Sequence, residues 1–260
     1  MMSFNFTTKL RGLAAVLAVA GPMAFTPQAH AVPVGLELSL LIDVSGSVDT
    51  TEFNLQKQGY VQAFQSSAVQ SAILGSVSGA IAVNLIQWSG AGEVSQSLGF
   101  TLIDSAASSN AFAAAINGVS RAFSGSTAPG SAINFAAPLF NSNGFESPRQ
   151  VIDVSGDGAE NDGANTATAR NNALAGGVDA INGLVILGES GVQNWYQNNI
   201  VGGTNSFLSV ANSFNDFGAA IENKLVREIK VPEPASLALF GFGLAALGFA
   251  RRRRGARVAA

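Results

Sequence analysis

LELSLLIDVSGS, residues 36–47, joins an apolar run to three oxygen-bearing side chains. The part from Leu36 to Ile42 becomes continuously apolar toward its end, which is typical of a strand buried inside a parallel sheet. Asp43, Ser45 and Ser47 follow directly after it. In an open α/β sheet, the loops at the carboxyl ends of neighbouring parallel strands converge on one crevice. The stretch therefore predicts a buried first strand with a polar site at its end.

Further apolar runs alternate with helical patterns along the chain, and this alternation predicts a parallel sheet. The expected strands after the first are Ala80–Trp88, Ser95–Ile103, Gln150–Val154 and Ala180–Leu187. Of these, Ser95–Ile103 is expected at the sheet edge, as a hairpin with the strand before it. The predicted fold class is α/β: a doubly wound, mostly parallel sheet with helices on both faces and one antiparallel edge strand.

Four helices with defined positions are expected between and after these strands, and a further one is expected directly after Gly125–Gly130. Asp49 and Glu52 have the spacing of a capping box, which places the start of the first helix. The later helices are expected over Ala106–Phe123, Asn165–Leu174 and Phe214–Ile229. Apolar residues recur at helical spacing in the last of these, which predicts core packing and no cofactor site.

The first 31 residues have the pattern of a secretory signal peptide. Lys9 and Arg11 give a positive start, Leu13–Phe25 is apolar, and Ala29-His30-Ala31 forms a small-x-small cleavage site. An N-terminal membrane anchor is the alternative, but the apolar run is short and is broken at Gly21-Pro22. We therefore expect a signal peptide that is removed on export.

The chain after the signal divides into one domain of ordinary size, residues 32–230, and a C-terminal segment, residues 231–260. The apolar run of this segment, Ala235–Ala250, would span about 24 Å as a helix, which is short for a bilayer core of about 30 Å. Arg251–Arg254 follow at once and belong on the cytoplasmic side of a membrane. A short transmembrane helix here would leave the domain outside.

Pro232-Glu233-Pro234, the apolar run and the Arg cluster together resemble the PEP-CTERM sorting signal of Gram-negative bacteria. This resemblance implies recognition by an exosortase, usually in species that make exopolysaccharide. It also implies a cell-envelope protein that is either anchored in the membrane or released to the cell surface. A plain tail anchor is the alternative interpretation.

Composition excludes several classes of function. The part of the chain from Glu37 to Glu233 holds all 17 acidic residues but only seven basic ones, a net charge of −10. Such an acidic domain is a poor candidate for nucleic acid, whose phosphates need Lys and Arg. The chain has no Cys, and its one His is His30, in the signal. Ser-His-Asp catalysis, Cys-His catalysis and the usual zinc sites are therefore excluded from the mature chain.

Two more loops carry oxygen ligands at expected element ends. Gly125–Gly130 contains Thr127, and Val154–Gly158 contains Asp157. With the loop after the first strand they offer two carboxylates and three hydroxyls, a set that suits Mg²⁺. Ser and Asp are also common caps and turn formers, so the first loop alone is equally consistent with a structural role. The three loops in order favour a cation site.

The three loops resemble the metal-ion-dependent adhesion site of von Willebrand factor A domains. Asp43, Ser45 and Ser47 match its first motif, Thr127 its threonine, and Asp157 its second aspartate. The resemblance implies a bound Mg²⁺, or Mn²⁺ or Ca²⁺, whose coordination shell is completed by a carboxylate of a partner. Most of the domain also resembles a bacterial subgroup of this fold that is known as a domain of unknown function. The stretches that carry this second resemblance are 151–158, 181–184, 202–203 and 224–229.

Other polar and aromatic residues have two possible roles each. Asp153 is expected to hold a loop in place, with direct metal contact as the alternative. Residues 160–162, Glu-Asn-Asp, form either the polar start of a helix or a second cation site. Trp195 and Tyr196 form either a packed pair or an exposed site for sugar or protein.

The sequence thus predicts an exported binding module that presents a divalent cation to a protein or to an exopolysaccharide-associated partner. We expect no enzyme, since the second aspartate of the haloacid-dehalogenase pattern, a Gly-x-Ser-x-Gly elbow and a phosphate-binding loop with Lys are all missing. The alternatives are a structural surface or matrix protein with a vestigial metal site, and a metal-dependent hydrolase.

Overall fold

The computed structural model describes residues 31–230. The predicted signal peptide, the sorting segment and its short transmembrane helix all fall outside the described residues, apart from position 31. Within 31–230, none of the helices combines the length and the apolar character that crossing a membrane requires.

Nine strands and seven α-helices make up the described part of the chain. The strands are β1 (Val32–Pro33), β2 (Glu37–Asp43), β3 (Ile81–Trp88), β4 (Val94–Ile103), β5 (Phe145–Glu146), β6 (Gln150–Gly156), β7 (Ala180–Ile186), β8 (Gly202–Gly203) and β9 (Leu208–Ala211). The helices are α1 (Thr50–Gln65), α2 (Ser67–Leu74), α3 (Ala106–Asn117), α4 (Pro129–Ala136), α5 (Thr166–Ala175), α6 (Val192–Asn199) and α7 (Phe217–Lys230).

The main sheet has the order β4-β3-β2-β6-β7, and both β8 and β9 pair with β7. Strands β2, β3, β6, β7 and β9 run parallel, whereas β4 is antiparallel to β3. The predicted mostly parallel sheet with an antiparallel edge strand is therefore confirmed. The two-residue β8 is a second antiparallel strand that was not expected, and β1 and β5 form a small separate pair.

Strand β2 lies in the centre of this sheet, and every one of its residues is buried. Its apolar side chains alternate between two cores, because successive side chains of a strand point to opposite faces. Leu40 and Ile42 belong to the core under α1, α2, α3 and α7, whereas Leu41 belongs to the core under α4, α5 and α6. Helices on both faces are thus confirmed. The continuous apolar run at the end of β2 exists because both faces are covered.

Helix α1 begins as its sequence predicts. The Asp49 carboxylate accepts a hydrogen bond from the Glu52 N–H at 2.8 Å, and the Glu52 carboxylate accepts one from the Asp49 N–H at 2.8 Å. This capping box satisfies two backbone donors at the start of the helix. Phe53, Tyr60 and Phe64 lie on its buried side.

Several boundaries differ from the prediction. Helix α3 ends at Asn117, with Gly118 as its C-cap, and does not continue to Phe123. The coil that follows is held by Arg121, whose Nη2 donates to the carbonyls of Val44 and Ser45 at 2.9 and 2.7 Å. The helix expected after the Gly125–Gly130 loop is α4. Helices α2 and α6 and strand β9 were not predicted, and they are short, so their periodicity is weak. Helix α7 begins three residues late, after a 3-10 turn.

Helices α1 and α7 pack against each other through a pair of glycines. A Cβ atom on Gly59 would lie 2.7 Å from Cδ1 of Phe217 and 3.1 Å from Cα of Gly218. A Cβ atom on Gly218 would meet Cα of Gly59 at 3.7 Å, an ordinary contact. The Cβ position of Gly59 is therefore crowded, whereas that of Gly218 is open.

We expect Gly59→Ala to lower the free energy of unfolding by about 1–2 kcal/mol, since the overpacking at Phe217 exceeds the gain in helix propensity. Urea denaturation of the domain measures this change. Gly218→Ala is the matched control and should leave stability equal or slightly higher. Equal effects of the two substitutions would contradict the asymmetric packing.

Candidate metal centre

The loop after β2 is folded around the Asp43 carboxylate. Asp43 is completely buried, and its Oδ1 accepts the N–H of Ser45 at 2.7 Å. The Ser45 and Ser47 hydroxyls are 3.1 Å apart, and Gln56 of α1 donates to the Asp43 carbonyl at 3.1 Å. The Asp-x-Ser-x-Ser pattern therefore closes a compact turn in which three oxygen-bearing side chains lie together.

The loop after β6 meets this turn directly. The Ser47 hydroxyl donates to Oδ1 of Asp157 at 2.7 Å, which connects residues 110 positions apart in the chain. The two loops are neighbours because β2 and β6 pair in parallel, with Ile42 opposite Ser155. The sheet register thus delivers both aspartates to the same edge.

Thr127 completes the set from the loop before α4. Thr127, Ser47 and Asp157 line one cavity of about 410 Å³, together with residues 158–161, Gly188 and Glu189. The Thr127 N–H donates to Oδ1 of Asn161 at 2.8 Å, and the Thr127 carbonyl accepts the Asn161 N–H at 3.0 Å. Backbone and side chain of Asn161 therefore fix the threonine at the cavity.

The segment Glu160–Asp162 has a positioning role in this structure. Oδ2 of Asp162 accepts the N–H of Ala91 at 2.9 Å, and Oε2 of Glu160 accepts the hydroxyl of Thr166 at 2.6 Å. Glu160 thus supports the start of α5, which matches one of the two roles expected for it. Asn161 and Asp162 instead hold neighbouring loops. They are not part of the start of α5, which begins at Thr166.

The two carboxylates of the site lack a cationic neighbour within the cavity. The residues that line it include neither Lys, Arg nor His. Burial, reinforced by the charge of Asp157, raises the pKa of Asp43 to about 7. The hydrogen bonds from Ser45 act in the opposite direction. The pKa of Asp157 is also raised, mainly by burial. A bound cation would offset these unfavourable charges.

An unpaired acceptor provides a more specific test of fit. Oδ2 of Asp43 is buried and has no hydrogen-bond partner among the described residues. Buried carboxylate oxygens are normally hydrogen-bonded or coordinated to a metal. Within residues 31–230, no three Asp, Glu, His or Cys side chains cluster in a way that could hold a metal. Two carboxylates with three hydroxyls, a set that suits Mg²⁺, are what this edge of the sheet offers.

The structure therefore brings the predicted ligands together around one edge of the sheet. Asp43, Ser45, Ser47 and Asp157 are joined by hydrogen bonds within or between their loops, and Thr127 lines the same cavity as Ser47 and Asp157. Their coordination of a cation stays a prediction, and so does the identity of the metal.

Sequence reasoning missed Glu189 and Tyr196 as neighbours of the site. Oε2 of Glu189 accepts the N–H of Ala159 at 2.9 Å, and Glu189 lines the cavity. It follows the end of β7, so the rule that loops converge at carboxyl strand ends could have found it. Tyr196 is fully buried, its hydroxyl has no hydrogen-bond partner within residues 31–230, and burial together with the charge of Asp43 raises its pKa. It comes from α6, which the sequence did not reveal.

Asp153 was expected to hold a loop in place, but the structure places it elsewhere. Its side chain lies on the α7 face of β6 and is 2.6 Å from Nζ of Lys224. Trp195 and Tyr196 form a packed pair with ring centroids 5.7 Å apart, in an edge-to-face arrangement. Burial of Tyr196 favours packing over the exposed site that was the alternative for this pair.

Comparison with known protein families gives two matches. The family described as "Protein of unknown function (DUF1194)" matches residues 33–233. The chain belongs to the DUF1194 family. The PEP-CTERM protein-sorting motif matches residues 230–254, and this motif implies an exported protein of the Gram-negative envelope and processing by an exosortase. No curated protein matches this DUF1194 chain.

Solved structures show that the DUF1194 chain has the von Willebrand factor A fold. Proximal thread matrix protein 1 from the mussel byssus, in a form with zinc in its MIDAS motif, is 19% identical with a TM-score of 0.57, covering 77% of this chain and 49% of that one. The pilus adhesin SpaC from Lactobacillus rhamnosus GG is 15% identical with a TM-score of 0.55, covering 77% and 31%. A von Willebrand factor type A protein from Catenulispora acidiphila is 12% identical with a TM-score of 0.51, covering 75% and 43%. The chain spans about half the length of the mussel protein.

Two glycines of the loop after β6 differ in what they tolerate. A Cβ atom on Gly156 would lie 2.5 Å from both Oδ2 of Asp43 and the Tyr196 hydroxyl, whereas one on Gly158 would come no closer than 3.5 Å to Glu189. We expect Gly156→Ala to destabilise the domain by about 1–3 kcal/mol, because rigid buried groups must move. Thermal denaturation checks this.

Gly158→Ala is the control for this prediction. It should change stability by less than about 0.5 kcal/mol, the range of substitutions that disturb no packing. A stable Gly156→Ala variant would show that Asp43 and Tyr196 are not held as closely as the structure has them.

Proposed function

We propose that this chain is an exported cell-envelope binding module that holds a divalent cation on Asp43, Ser45, Ser47, Thr127 and Asp157. Its partner is a protein or an envelope polymer that contributes a carboxylate. When bound, the cation supplies a coordination position that such a carboxylate can fill. The observation that carries the proposal is the buried, unpaired Oδ2 of Asp43 in a cluster of hydroxyl and carboxylate oxygens.

The proposed ligands have separate tasks. Asp43 and Asp157 supply the negative charge that attracts the cation, and the Ser and Thr hydroxyls supply neutral oxygen ligands. Hydrogen bonds between Ser45, Ser47 and Asp157 preorganise these oxygens, so little ordering is needed when the cation binds. Mg²⁺ is our first choice of metal, because it accepts few carboxylates and keeps some water.

The charge around the site makes the proposed binding dependent on metal. Asp157, Glu160 and Glu189 line the cavity, and an adjoining cavity of about 430 Å³ adds Asp49 and Glu52. Without a cation this acidic surface repels a carboxylate, since like charges brought together at an interface are unfavourable. The cation is therefore expected to act as a switch between repulsion and capture.

The position of the site suits a tethered module. Phe214, just before α7, lines the adjoining cavity of about 430 Å³ together with Asp157. Near the end of α7, the Glu228 carbonyl accepts a hydrogen bond from Arg149, which precedes β6. Helix α7 thus runs from the site edge of the sheet to the opposite edge. A chain continuing from Lys230 to a sorting signal leaves the domain on the side away from the proposed site.

We propose a role in binding and not in catalysis. The residues that line the cavity offer carboxylates and hydroxyls but no His, Cys or Lys as a nucleophile or base at neutral pH. A screen for phosphatase and esterase activity with Mg²⁺ and Mn²⁺ should be negative. Turnover lost in Asp43→Ala would favour the metal-dependent hydrolase instead.

Calorimetric titration of residues 32–230 with Mg²⁺, Mn²⁺ and Ca²⁺ tests the metal site. We expect binding by the wild type, and a loss of affinity of at least about tenfold in Asp157→Asn, because a charged ligand is removed. Asp104→Asn is the matched control, because this exposed carboxylate follows the end of β4 that lies away from the proposed site. The substitution should leave the affinity for metal unchanged. No heat with any metal, or an equal loss in the control, would contradict the site.

Capture of envelope fractions on the immobilised domain tests the binding role. Capture should require Mg²⁺, stop on chelation and fail with folded Asp43→Ala. Capture that is indifferent to metal and to Asp43 would favour a structural surface protein with a vestigial site.

A further inference from the structure

A second cluster of buried polar side chains lies on the opposite side of the sheet from Tyr196, between β6, β7 and α7. It consists of Asp153, Asn182, Lys224 and Glu228, each at most 1% exposed. The Lys224 ammonium is 2.6 Å from Oδ1 of Asp153 and 2.5 Å from Oε1 of Glu228. The proposed metal site makes no use of any of these groups.

The contact between Lys224 and Asp153 is an ion pair that is completely buried. Nζ lies 2.6 Å from Oδ1, and Oδ2 of Asp153 has no hydrogen-bond partner among the described residues. Fully buried charges are costly even when they are paired. A reaction that converts the two charged groups into one neutral group would remove that cost.

We propose that Lys224 and Asp153 form an intramolecular amide, an isopeptide bond between Nζ and Cγ. In the reaction the Nζ–Cγ bond forms and one Cγ–O bond of Asp153 breaks. Nζ loses two of its three protons, and both leave with the Asp153 oxygen as one molecule of water. No electron is gained or lost, and no co-reactant is required.

Burial prepares the carboxyl group for the reaction. Proton transfer from Lys224 to Asp153 gives a neutral amine, which is nucleophilic, and a neutral carboxylic acid, which accepts attack. Burial, reinforced by the charge of Glu228 and opposed by Lys224, raises the pKa of Asp153 to about 7, so its carboxylic acid form is accessible. Fixed contact of two reactants can be equivalent to a concentration of about 10⁵ M or more.

Glu228 is placed to move the protons. Its Oε1 accepts from Nζ of Lys224 at 2.5 Å and from Nδ2 of Asn182 at 2.7 Å, while Oε2 has no partner among the described residues. The carboxylate can therefore take a proton from the attacking amine and return it to the departing oxygen. Asn182 fixes Glu228 and is itself held by the Phe207 N–H at 3.0 Å.

The bond would join β6 to α7, two elements that are far apart in sequence. The chain has no Cys and can form no disulfide, so an amide is the covalent brace open to it. β6 leads directly into the loop of Asp157, and α7 is the last element before the matched sorting motif. The amide would therefore connect the strand that carries the Asp157 loop with the helix that precedes the sorting motif.

Peptide mapping of the full-length protein tests the proposal directly. Trypsin cuts after Arg149, Arg170, Lys224 and Arg227 in an unlinked chain, but not after an amidated lysine. We expect one branched product, Gln150–Arg170 joined to Asn171–Arg227, with the mass of the two peptides less one water. Fragmentation should place the link between Asp153 and Lys224. These peptides do not include the chain ends, so processing there does not affect the result.

The other outcomes overturn the proposal. Free peptides ending at Lys224 as the only form would show a plain ion pair. Loss of ammonia in place of water, with a link within Asn171–Arg227, would assign the bond to Asn182 and not to Asp153. Because the wild-type protein decides between these results, the test does not depend on whether a variant folds.

Two variants test the part of each residue. Glu228→Gln should retain the fold but form the branched peptide at least about 100-fold more slowly after synthesis, since a proton acceptor is lost. Lys224→Arg keeps the positive charge and a trypsin site but should give no branched peptide. Linking at the wild-type rate in Glu228→Gln would overturn the role of Glu228, and a branched peptide in Lys224→Arg would overturn the role of Lys224.

Discussion

Strand β2 is completely buried, and the positions of the other elements and of the candidate site follow from this burial. A strand with neighbours on both sides and helices on both faces favours apolar residues, and the run Leu40–Ile42 meets this requirement up to the end of the strand. Asp43 occupies that position, still fully buried, and its Oδ2 has no hydrogen-bond partner among the described residues. The same burial that stabilises the sheet therefore leaves the carboxylate for which we propose a cation.

The two sides of β6 deal with buried charge in different ways. Toward α7, Asp153 and Glu228 share Lys224, so their negative charge is partly compensated within the protein. At the end of the strand, Asp157 and Asp43 have only hydroxyl and backbone donors around them. A cluster that contains its own cation can react internally or simply stay paired, whereas one without a cation favours binding of an ion from outside. This contrast is the physical reason for assigning them different roles.

Much of the fold follows from local patterns. The strands that form the centre of the sheet, the edge strand β4, the capping box of α1 and the apolar side of α7 were all predicted near their observed positions. Elements of eight residues or fewer, such as α2 and α6, lack enough periods to stand out from coil. Helix α3 was predicted too long, because small residues continue past Gly118 while Arg121 ties the following coil to the β2 loop.

The amino-acid sequence is enough to recognise an acidic domain without Cys or His, three loops with oxygen ligands and a sorting motif. These features depend on residue type and spacing, which a linear pattern records. Which side chains meet depends on the tertiary structure. The register between β2 and β6 brings Ser47 to Asp157, and the packing of α7 on β6 brings Lys224 to Asp153. Such pairs are separated by many residues, and only strand order and helix packing set the distance between them.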